Sequence, residues 1–311
     1  FRLFVAIADV AHYVTPDSAI DEEAKKRGTS VYFPTHAIPM LPEALSNGLC
    51  SLRPGVNRLT LTCEMQLNQD GECIDYRIYE SLIKSHARLD YDAVADFLDS
   101  GKKSISNKEI QKSLKLMQEL MHLLEEKRKR RGAIQFEFSE FSVEFDHQNR
   151  MTGMSKKFQS SSMKMIEQFM LEANETVARH CVKRKLPALY RVHQPPSDLK
   201  LQQLKKTLAH YGVNPKTVSL SDSYGFSRIL SHLKELPQFE ALQVVLLRSM
   251  ALAVYQTRNG GHFGLAAEFY THFTSPIRRY PDLMVHRALK KELSSRNQKK
   301  SSCLLYTSPS P

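Results

Sequence analysis

Alternating apolar and polar residues predict a β-hairpin in the first third of the chain. Apolar residues occupy every second position from Leu59 to Leu67 and again from Ile74 to Ile78. A period of two is typical of a strand that buries one face. The residues in between include Gln69, Asp70 and Gly71, and Asp-Gly is a frequent pair in hairpin turns. We therefore expect two antiparallel strands joined near Gly71.

The same alternation marks two other parts of the chain. Ile134 to Phe138 and Phe141 to Phe145 keep a period of two up to the polar residues Asp146 to Asn149, which predicts a second sheet segment followed by a turn. Phe1 to Val14 also alternates and carries Asp9, which argues against a signal peptide. It predicts an interior strand, so we expect the chain to begin within a domain.

Helical spacing of apolar residues marks the segments around these strands. From Ile110 to Leu124 apolar residues recur at every third or fourth position, and the basic residues Lys127 to Arg131 with Gly132 resemble a helix end. We assign those basic residues to a solvated face. Three further helices are predicted at Ser162–Lys183, with Met163, Ile166, Met170, Ala173 and Val177 on its apolar face, at Ser197–Tyr211, and at Glu240–Thr257, which is apolar on most sides.

These elements together predict an α/β or mixed α+β fold with a sheet surrounded by helices. The pattern ends at Leu293, so the domain is expected at residues 1–293. The tail, residues 294–311, begins polar and basic. Its last part, Ser301 to Pro311, does not continue the domain, and we interpret it as non-native.

Composition narrows the class of protein. Of 311 residues, 41% are hydrophobic, which is enough for a substantial core. Without an apolar run long enough to span a bilayer, no membrane association is expected. The five cysteines show no CxxC spacing, so neither a disulfide framework nor a zinc site is predicted, and a reducing cytoplasm is favoured. The net charge of +11 favours a polyanionic partner, the alternative being a merely basic, solvated surface.

The string FTSPIRRYPDLMVHR combines a turn with a helix start. Pro281 is favourable as a first helical residue. Arg278 and Arg279 lie just before it, where positive charge opposes the helix dipole, so a chemical reason for them is expected. Two guanidinium groups beside the hydroxyls of Thr274 and Ser275 would suit a phosphate. The alternative is a structural loop tied down by arginine hydrogen bonds.

Several strings in sequence order resemble the catalytic (RNB) domain of the ribonuclease II superfamily. The resemblance covers roughly residues 1 to 293, and it implies a mixed sheet surrounded by helices with an RNA channel. The strings are VAIADVAHYV, RGTSVYFPTHAIPMLPEALSNGLCSL, SHARLDYDAV, RGAIQFE, IEQFMLEANETVAR, LYRVHQPPS and GGHFGLAAEFYTHFTSPIRRYPDLMVHRAL.

The resemblance implies a processive exoribonuclease, monomeric and cytoplasmic. Such an enzyme threads single-stranded RNA, 3′ end first, into a channel and releases nucleoside 5′-monophosphates. In that family Mg²⁺ ions held by an aspartate cluster activate the attacking water. The matching aspartates are expected upstream of Phe1, so no metal ligand is assigned in this chain, and we expect the chain by itself to be inactive. Asp9 matches a neighbouring position and is interpreted as a structural, hydrogen-bonded residue. A non-catalytic RNA-binding relative remains the alternative.

The resemblance also implies roles for residues that bind the substrate. Arg278 matches the catalytic arginine, whose guanidinium can bridge oxygens of the scissile phosphate, and Arg279 either binds phosphate less directly or braces the turn. Tyr32 matches an aromatic residue that stacks on bases, and Phe136 matches its partner in a base clamp. From its strand pattern alone, Phe136 would be a core residue.

Two more residues are implied to recognise the ribose. Tyr91 and Glu167 match positions that contact the sugar, and a phenol and a carboxylate can both hydrogen-bond the 2′-OH that distinguishes RNA from DNA. Glu167 lies beside the apolar stripe of its helix, so the alternative for it is a buried salt bridge.

Overall fold

A computed structural model describes residues 1–305 apart from residues 139, 149, 214–219 and 221, and it describes no side chains beyond residue 296. The strands are β1 (Arg2–Ala8), β2 (Val31–Tyr32), β3 (Ala37–Ile38), β4 (Asn57–Leu67), β5 (Cys73–Lys84), β6 (Glu140–Phe145), β7 (Met151–Lys157), β8 (Tyr190–Val192) and β9 (Val254–Gln256). The helices are α1 (Val10–Tyr13), α2 (Ala19–Arg27), α3 (Tyr91–Ser100), α4 (Lys108–Arg130), α5 (Ser161–Arg184), α6 (Asp198–His210), α7 (Ser223–Leu233), α8 (Phe239–Ser249) and α9 (Tyr280–Leu305), with a π-helix at Ala44–Leu49 and a 3-10 helix at Phe263–Leu265.

The predicted hairpin forms the main sheet. β4 and β5 pair antiparallel as expected, and β1 pairs antiparallel with the other side of β4, giving the order β1-β4-β5. The prediction of an interior strand at the start of the chain is therefore wrong in one respect, because β1 lies at the edge of this sheet in the described part of the chain. The central strand β4 buries Leu61, Cys63 and Met65 completely.

Helix α5 covers the inner face of this sheet and builds the larger core with α4. Both helices were predicted, but the buried face of α5 differs from the prediction. Ala173 and Val177 are buried as expected, whereas the deeply buried residues near the N-terminus are Met165 and Phe169. The predicted stripe residues Met163, Ile166 and Met170 are only half-buried. One edge of α5 is therefore apolar but only partly covered, and of its residues Met170 still packs against the larger core.

A smaller core lies under α6, α7 and α8 and includes Phe226, Leu208 and Leu246. The segment that connects it to α4 begins with Gly132, at φ +82°. A Cβ there would lie 2.5 Å from the Cα of Tyr224, so only glycine lets the end of α4 approach α7 this closely.

Two predicted elements differ in the structure. Ile134 to Phe138 is extended but forms no strand ladder; Ile134 donates its N–H to the Gly264 carbonyl and packs into the smaller core instead. The helix predicted to reach Thr257 ends at Ser249, because Val254 to Gln256 pair as β9 with β8. The hairpin β6–β7 follows the predicted pattern, and Asn149 of its predicted turn lies outside the described residues.

Lys127 and Arg128 at the end of α4 are buried, so the assignment of the basic residues to a solvated face is wrong for these two, whereas Lys129 and Arg130 are exposed as expected. Lys127 donates to both carboxylate oxygens of Glu172 at 3.0 Å, and Arg128 donates to the side chain of Gln168. Arg131 pairs with Glu175. The sequence alone does not reveal this role, because Glu172, Gln168 and Glu175 all lie on α5, 40 to 45 residues away along the chain.

The last helix, α9, begins at Tyr280, next to the predicted Pro281, and buries Leu283, Val285 and Leu289. It continues past Leu293 to Leu305, into the predicted tail. Residues 306–311 of that tail lie outside the described residues. The combination of antiparallel strands and helices confirms the predicted mixed class. Within the described residues, we find no helix with the length and apolar character needed to cross a bilayer.

Candidate functional site

The turn that carries Arg278 opens onto a cleft of about 480 Å³, which we call the arginine cleft. Its wall is formed by the end of β1, the turn itself and α5. The residues that matter for its chemistry are Tyr32, Cys50, Met170, Thr274, Ser275 and Arg278. The structure thus brings together three predicted phosphate-binding residues and one predicted stacking residue. Arg278 is exposed here, at the entrance of α9 as the sequence predicted.

Arg279 has a different role from its neighbour. Its Nε and Nη2 donate to the two carboxylate oxygens of Asp282, at 2.8 and 2.7 Å. Asp282 is fully buried, and its Oδ1 also accepts the N–H of Ser275 at 2.8 Å. This fork closes the turn from inside, which favours bracing over phosphate contact as the role of Arg279.

A second set of bonds attaches the turn to the segment that carries Tyr32. The carbonyl of Arg278 accepts the N–H of Ser30 at 3.0 Å and the hydroxyl of Thr29 at 2.9 Å. The N–H of Tyr280 donates to the Gly28 carbonyl at 2.9 Å. The backbone of residues 28–30, which leads to the predicted stacking residue Tyr32, is therefore hydrogen-bonded to the turn of the predicted catalytic arginine. Tyr32 itself is 64% exposed, which leaves its ring free to stack.

Hydrogen bonds also hold the segment that leads into the turn. The N–H of Phe273 donates to Asn174 of α5 at 2.9 Å, and the Phe273 carbonyl is bonded to Nε2 of His286 on α9 at 2.8 Å. His286 is fully buried and stacks on the Phe273 ring. Helices α5 and α9 thus hold the segment before the turn in one conformation, as preorganised binding requires.

Phe136 lies in a different cleft from Tyr32. This cleft, of about 460 Å³, is lined by Phe136, Phe138, Phe158 and Phe239 with Lys156 and Lys164, and we call it the phenylalanine cleft. Phe136 is half-buried and packs against the smaller core, which agrees with the core role that its pattern suggested, while its role as the clamp partner of Tyr32 stays a prediction. Its ring stacks on that of Phe138, at 5.6 Å between centroids.

The two residues predicted to recognise ribose lie near the start of α5. Tyr91 is half-exposed and lines a cleft of about 200 Å³ together with Ile166, and its carbonyl accepts the hydroxyl of Ser162 at 2.7 Å. Glu167 is exposed and accepts a hydrogen bond from Gln159 at 2.7 Å. The buried salt bridge considered for Glu167 is therefore wrong.

The half-buried edge of α5 connects all three clefts. Ile166 lines the cleft of Tyr91, and Met170 lines the arginine cleft one turn later. Between them, Glu167 bonds to Gln159, which lines the phenylalanine cleft. Residues three and four apart lie on one side of a helix, so these side chains form a continuous surface. The apolar stripe that looked like core in the sequence is the floor between the predicted binding residues.

Protonation states around the arginine cleft follow from burial. Burial raises the pKa of the Cys50 thiol to about 11, so this sulfur is a neutral thiol near pH 7 and not a nucleophile. Burial, with Arg279 and Arg191 nearby, lowers the pKa of His272 to about 3. His272 is therefore neutral and accepts a bond from, or donates one to, the hydroxyl of Tyr255 at 2.6 Å.

The residues described here do not fit a divalent metal site. Among the side chains that the structure describes, none of which lies beyond residue 296, no three His, Cys, Asp or Glu cluster with ligand spacing. Asp9, the carboxylate nearest to the predicted ligands, is buried; it caps α1 by accepting the N–H of His12 and pairs with Lys290. That pairing agrees with the structural role expected for Asp9.

Sequence reasoning missed three residues of the site. Asp282 follows Pro281 directly and could have been suspected from an acidic residue in the first turn of a helix. Met170 was predicted to lie on the apolar face of its helix and therefore in the core. Thr29 gave no signal at all, because its bond to Arg278 joins residues 249 positions apart.

Comparison with known proteins agrees with the resemblance. The family model of the RNB domain matches residues 1–295. Ribonuclease R 1 of Lactococcus lactis is 46% identical over 292 residues, which are 93% of this chain and 36% of that protein. Ribonuclease R of Escherichia coli is 43% identical with the same coverage of both chains.

A solved structure is similar in fold as well as in sequence. Mycoplasma genitalium RNase R in complex with ribose methylated single-stranded RNA superposes with a TM-score of 0.91 at 36% identity. The match covers 96% of this chain and 47% of that one. The chain thus spans less than half the length of each of these relatives.

Proposed function

Because the chain belongs to the RNB-domain family, we propose that it is the RNA-binding and catalytic core of a 3′-to-5′ exoribonuclease of the ribonuclease R type. Its substrate is single-stranded RNA and its products are nucleoside 5′-monophosphates. The solved RNase R from Mycoplasma genitalium carries single-stranded RNA, which supports this choice of substrate.

The observation that carries the proposal is that hydrogen bonds attach the segment just before Tyr32 to the turn that carries Arg278. A ring that stacks on a base and a guanidinium that holds a phosphate must keep a fixed separation to act on one nucleotide. The bonds from Thr29 and Ser30 to the Arg278 carbonyl supply that constraint. Arg278 would stabilise the charge that develops on the phosphate oxygens, while Asp282 keeps Arg279 away from the substrate.

Sugar recognition is proposed for Tyr91 and Glu167. Glu167 is exposed on the floor between the clefts, where its carboxylate can exchange Gln159 for a ribose 2′-OH as hydrogen-bond donor. A carboxylate accepts such a bond only from RNA, because DNA lacks the hydroxyl.

Divalent metal chemistry belongs to the complete catalytic unit. Mg²⁺ would activate the attacking water and stabilise charge on phosphorus. Since the described residues do not form its site, we expect the chain of 311 residues by itself to bind single-stranded RNA without Mg²⁺-dependent release of nucleotides. A longer chain of the same protein, with the upstream aspartates that the family resemblance implies, is expected to release them.

Binding of labelled RNA and DNA oligonucleotides of the same sequence tests the proposal. The chain should prefer RNA, and Glu167→Ala should narrow that preference by weakening RNA binding more than DNA binding. Gln159→Ala serves as the matched control, since it removes the present partner of Glu167 but not the carboxylate. Equal losses on RNA and DNA would contradict the sugar-reading role, and absence of RNA binding would contradict the function.

A non-catalytic RNA-binding relative is the second candidate. The lack of a carboxylate cluster among the described residues favours it. Single-turnover degradation by the longer chain decides between the two, because a binder would retain the RNA intact at any Mg²⁺ concentration.

A further inference from the structure

The phenylalanine cleft exposes more aromatic surface than a folded chain normally leaves in water. Phe158 is 71% exposed and Phe138 is 43% exposed, and both lie beside Phe136 and Phe239 in one concave surface. Scattered exposed apolar residues need no explanation, but several aromatic rings around one cleft indicate an interaction surface.

The cleft is built by specific contacts. Gln243 is buried; its side-chain carbonyl accepts the N–H of Glu137 at 3.3 Å and its amide donates to the Glu137 carbonyl at 3.0 Å. These two bonds hold the segment extended, so Phe136 and Phe138 project to the same side and stack. Phe158 is placed from the other wall, at the end of the β6–β7 hairpin. A surface pinned in this way can bind a ligand without first paying the entropy of ordering itself.

The charges of the cleft suit an anionic ligand. Its two carboxylates are already neutralised, since Glu240 pairs with Lys156 at 3.1 Å and Glu137 pairs with Lys234 at 2.6 Å. Lys164, in the first turn of α5, adds a positive charge to the lining. Exposed rings interleaved with a cation form the arrangement that binds single-stranded nucleic acid through its bases and its phosphates.

The cleft also adjoins a residue of the proposed substrate path. Gln159 lines it and bonds to Glu167, and Glu167 lies on the α5 edge that leads to Met170 in the arginine cleft. A strand whose end lies near Arg278 would therefore pass Glu167 before it reaches Phe138 and Phe158.

We propose that the phenylalanine cleft is an additional base-stacking subsite, in which Phe138 and Phe158 stack on unpaired bases of the RNA strand and Lys164 contacts its backbone. The inference rests on the proposed function and extends it to nucleotides farther from the reacting end than the one held at Tyr32 and Arg278. Because any base can stack on an aromatic ring, the subsite increases affinity for RNA without adding sequence preference.

The test measures affinity for an oligouridylate series of about 4 to 16 nucleotides, the range of known single-strand sites. Phe158→Ala should leave the shortest oligonucleotides unaffected and weaken longer ones by about tenfold, equivalent to about 1.4 kcal/mol. Phe158→Tyr keeps a ring and should bind like the unchanged chain. Phe141→Ala is the matched control: Phe141 is 63% exposed on the same hairpin but does not line the cleft.

A fluorescent base locates the contact independently of affinity. When 2-aminopurine replaces one base at successive positions, stacking quenches its fluorescence, and Phe158→Ala should remove the quenching at an interior position only. Equal weakening at every length, or no weakening at any length, would overturn the subsite while leaving RNA binding intact. A chain that binds no RNA would instead refute the proposed function together with this inference.

Discussion

Arg278 and Arg279 are adjacent in sequence but face different surroundings. Arg279 forms a two-bond fork with the buried Asp282, whereas Arg278 lies exposed in the arginine cleft with its carbonyl held by Thr29 and Ser30. The same residue type therefore serves the structure in one position and is available for the substrate in the next.

Lysine substitution separates these roles, because lysine keeps the charge but loses the planar fork. In a longer chain that degrades RNA, Arg278→Lys should reduce single-turnover cleavage at least about a hundredfold, with a much smaller loss of RNA affinity. Arg279→Lys should instead lower the melting temperature, since it breaks the fork onto Asp282. If Arg278→Lys lowered RNA affinity and turnover in the same proportion, Arg278 would bind the substrate and the transition state equally. That result would refute a catalytic role.

At the scale of single residues, the sequence predicted the chemical character of the site better than the hydrogen-bond partner of each residue. FTSPIRRYPDLMVHR identified the turn, the helix start and the two arginines, because proline, hydroxyl residues and paired arginines have strong local preferences. The local pattern alone did not distinguish Arg278 from Arg279, and only the family resemblance did, since the difference depends on contacts such as that of Thr29, which lies 249 positions away. The buried carboxylate of Asp282 supplies the other half of that difference.

Among the elements, α5 links stability and binding most directly. One side of it packs on the sheet, one edge forms the floor between the clefts, and its carboxylates neutralise the basic end of α4. A period of 3.6 predicted the helix correctly. The amount of apolar surface that faces the core could not be predicted, because an apolar edge along a channel has the same spacing as one in a core.

The buried pair of Lys127 and Glu172 gives a prediction for this element. Each side chain is only 5% exposed. Lys127→Met should lower the free energy of unfolding by about 3–5 kcal/mol, because it leaves a buried carboxylate without its partner. Urea unfolding of Lys127→Met, of Glu172→Leu and of the double variant measures the effect, and the double variant should recover most of the loss.

Lys129→Met provides the comparison, since Lys129 is 76% exposed on the same helix end. It should change the free energy of unfolding by less than about 0.5 kcal/mol. If Lys127→Met were as mild as Lys129→Met, the pair would not be buried in solution as described.

For the whole molecule, buried histidines predict how stability depends on pH. Burial, with charged neighbours, lowers the pKa of His262 and of His272 to about 3. The unfolded chain binds these protons at its ordinary pKa near 6.5, so it gains protons that the folded chain excludes as pH falls. Stability contributed by the neutral forms is therefore present above about pH 6.5 and is lost as pH falls toward 3.

Each histidine contributes a slope of up to about 1.4 kcal/mol per pH unit within that window. Urea unfolding at pH values between about 5 and 7.5, for the unchanged chain and for His272→Gln, isolates one contribution. The variant should show a shallower decline at acid pH. Parallel curves for the two proteins would mean that His272 titrates normally in the folded state.

The fold class and the helices α4, α5, α6 and α8 followed from periodicity, but α2, α3 and α7 and the long-range arrangement of the molecule did not. Val254 to Gln256 continued an apolar helix pattern and became a strand because β8 was available as a partner. Similarly, Ile134 to Phe138 alternated like a strand but is held by Gly264 and Gln243 instead. In both places tertiary contacts outweighed local preference.

The bonds between Thr29, Ser30 and the Arg278 carbonyl also determine when the cleft can form during synthesis. They join segments separated by 249 residues, and the pairs of Lys290 with Asp9 and Arg287 with Asp21 close the same long loop. Contacts of such separation form late in folding and require both ends of the loop. A ribosome must therefore translate nearly the whole domain before the nascent protein has an arginine cleft. Until then, the chain lacks the complete cleft in which RNA is proposed to bind.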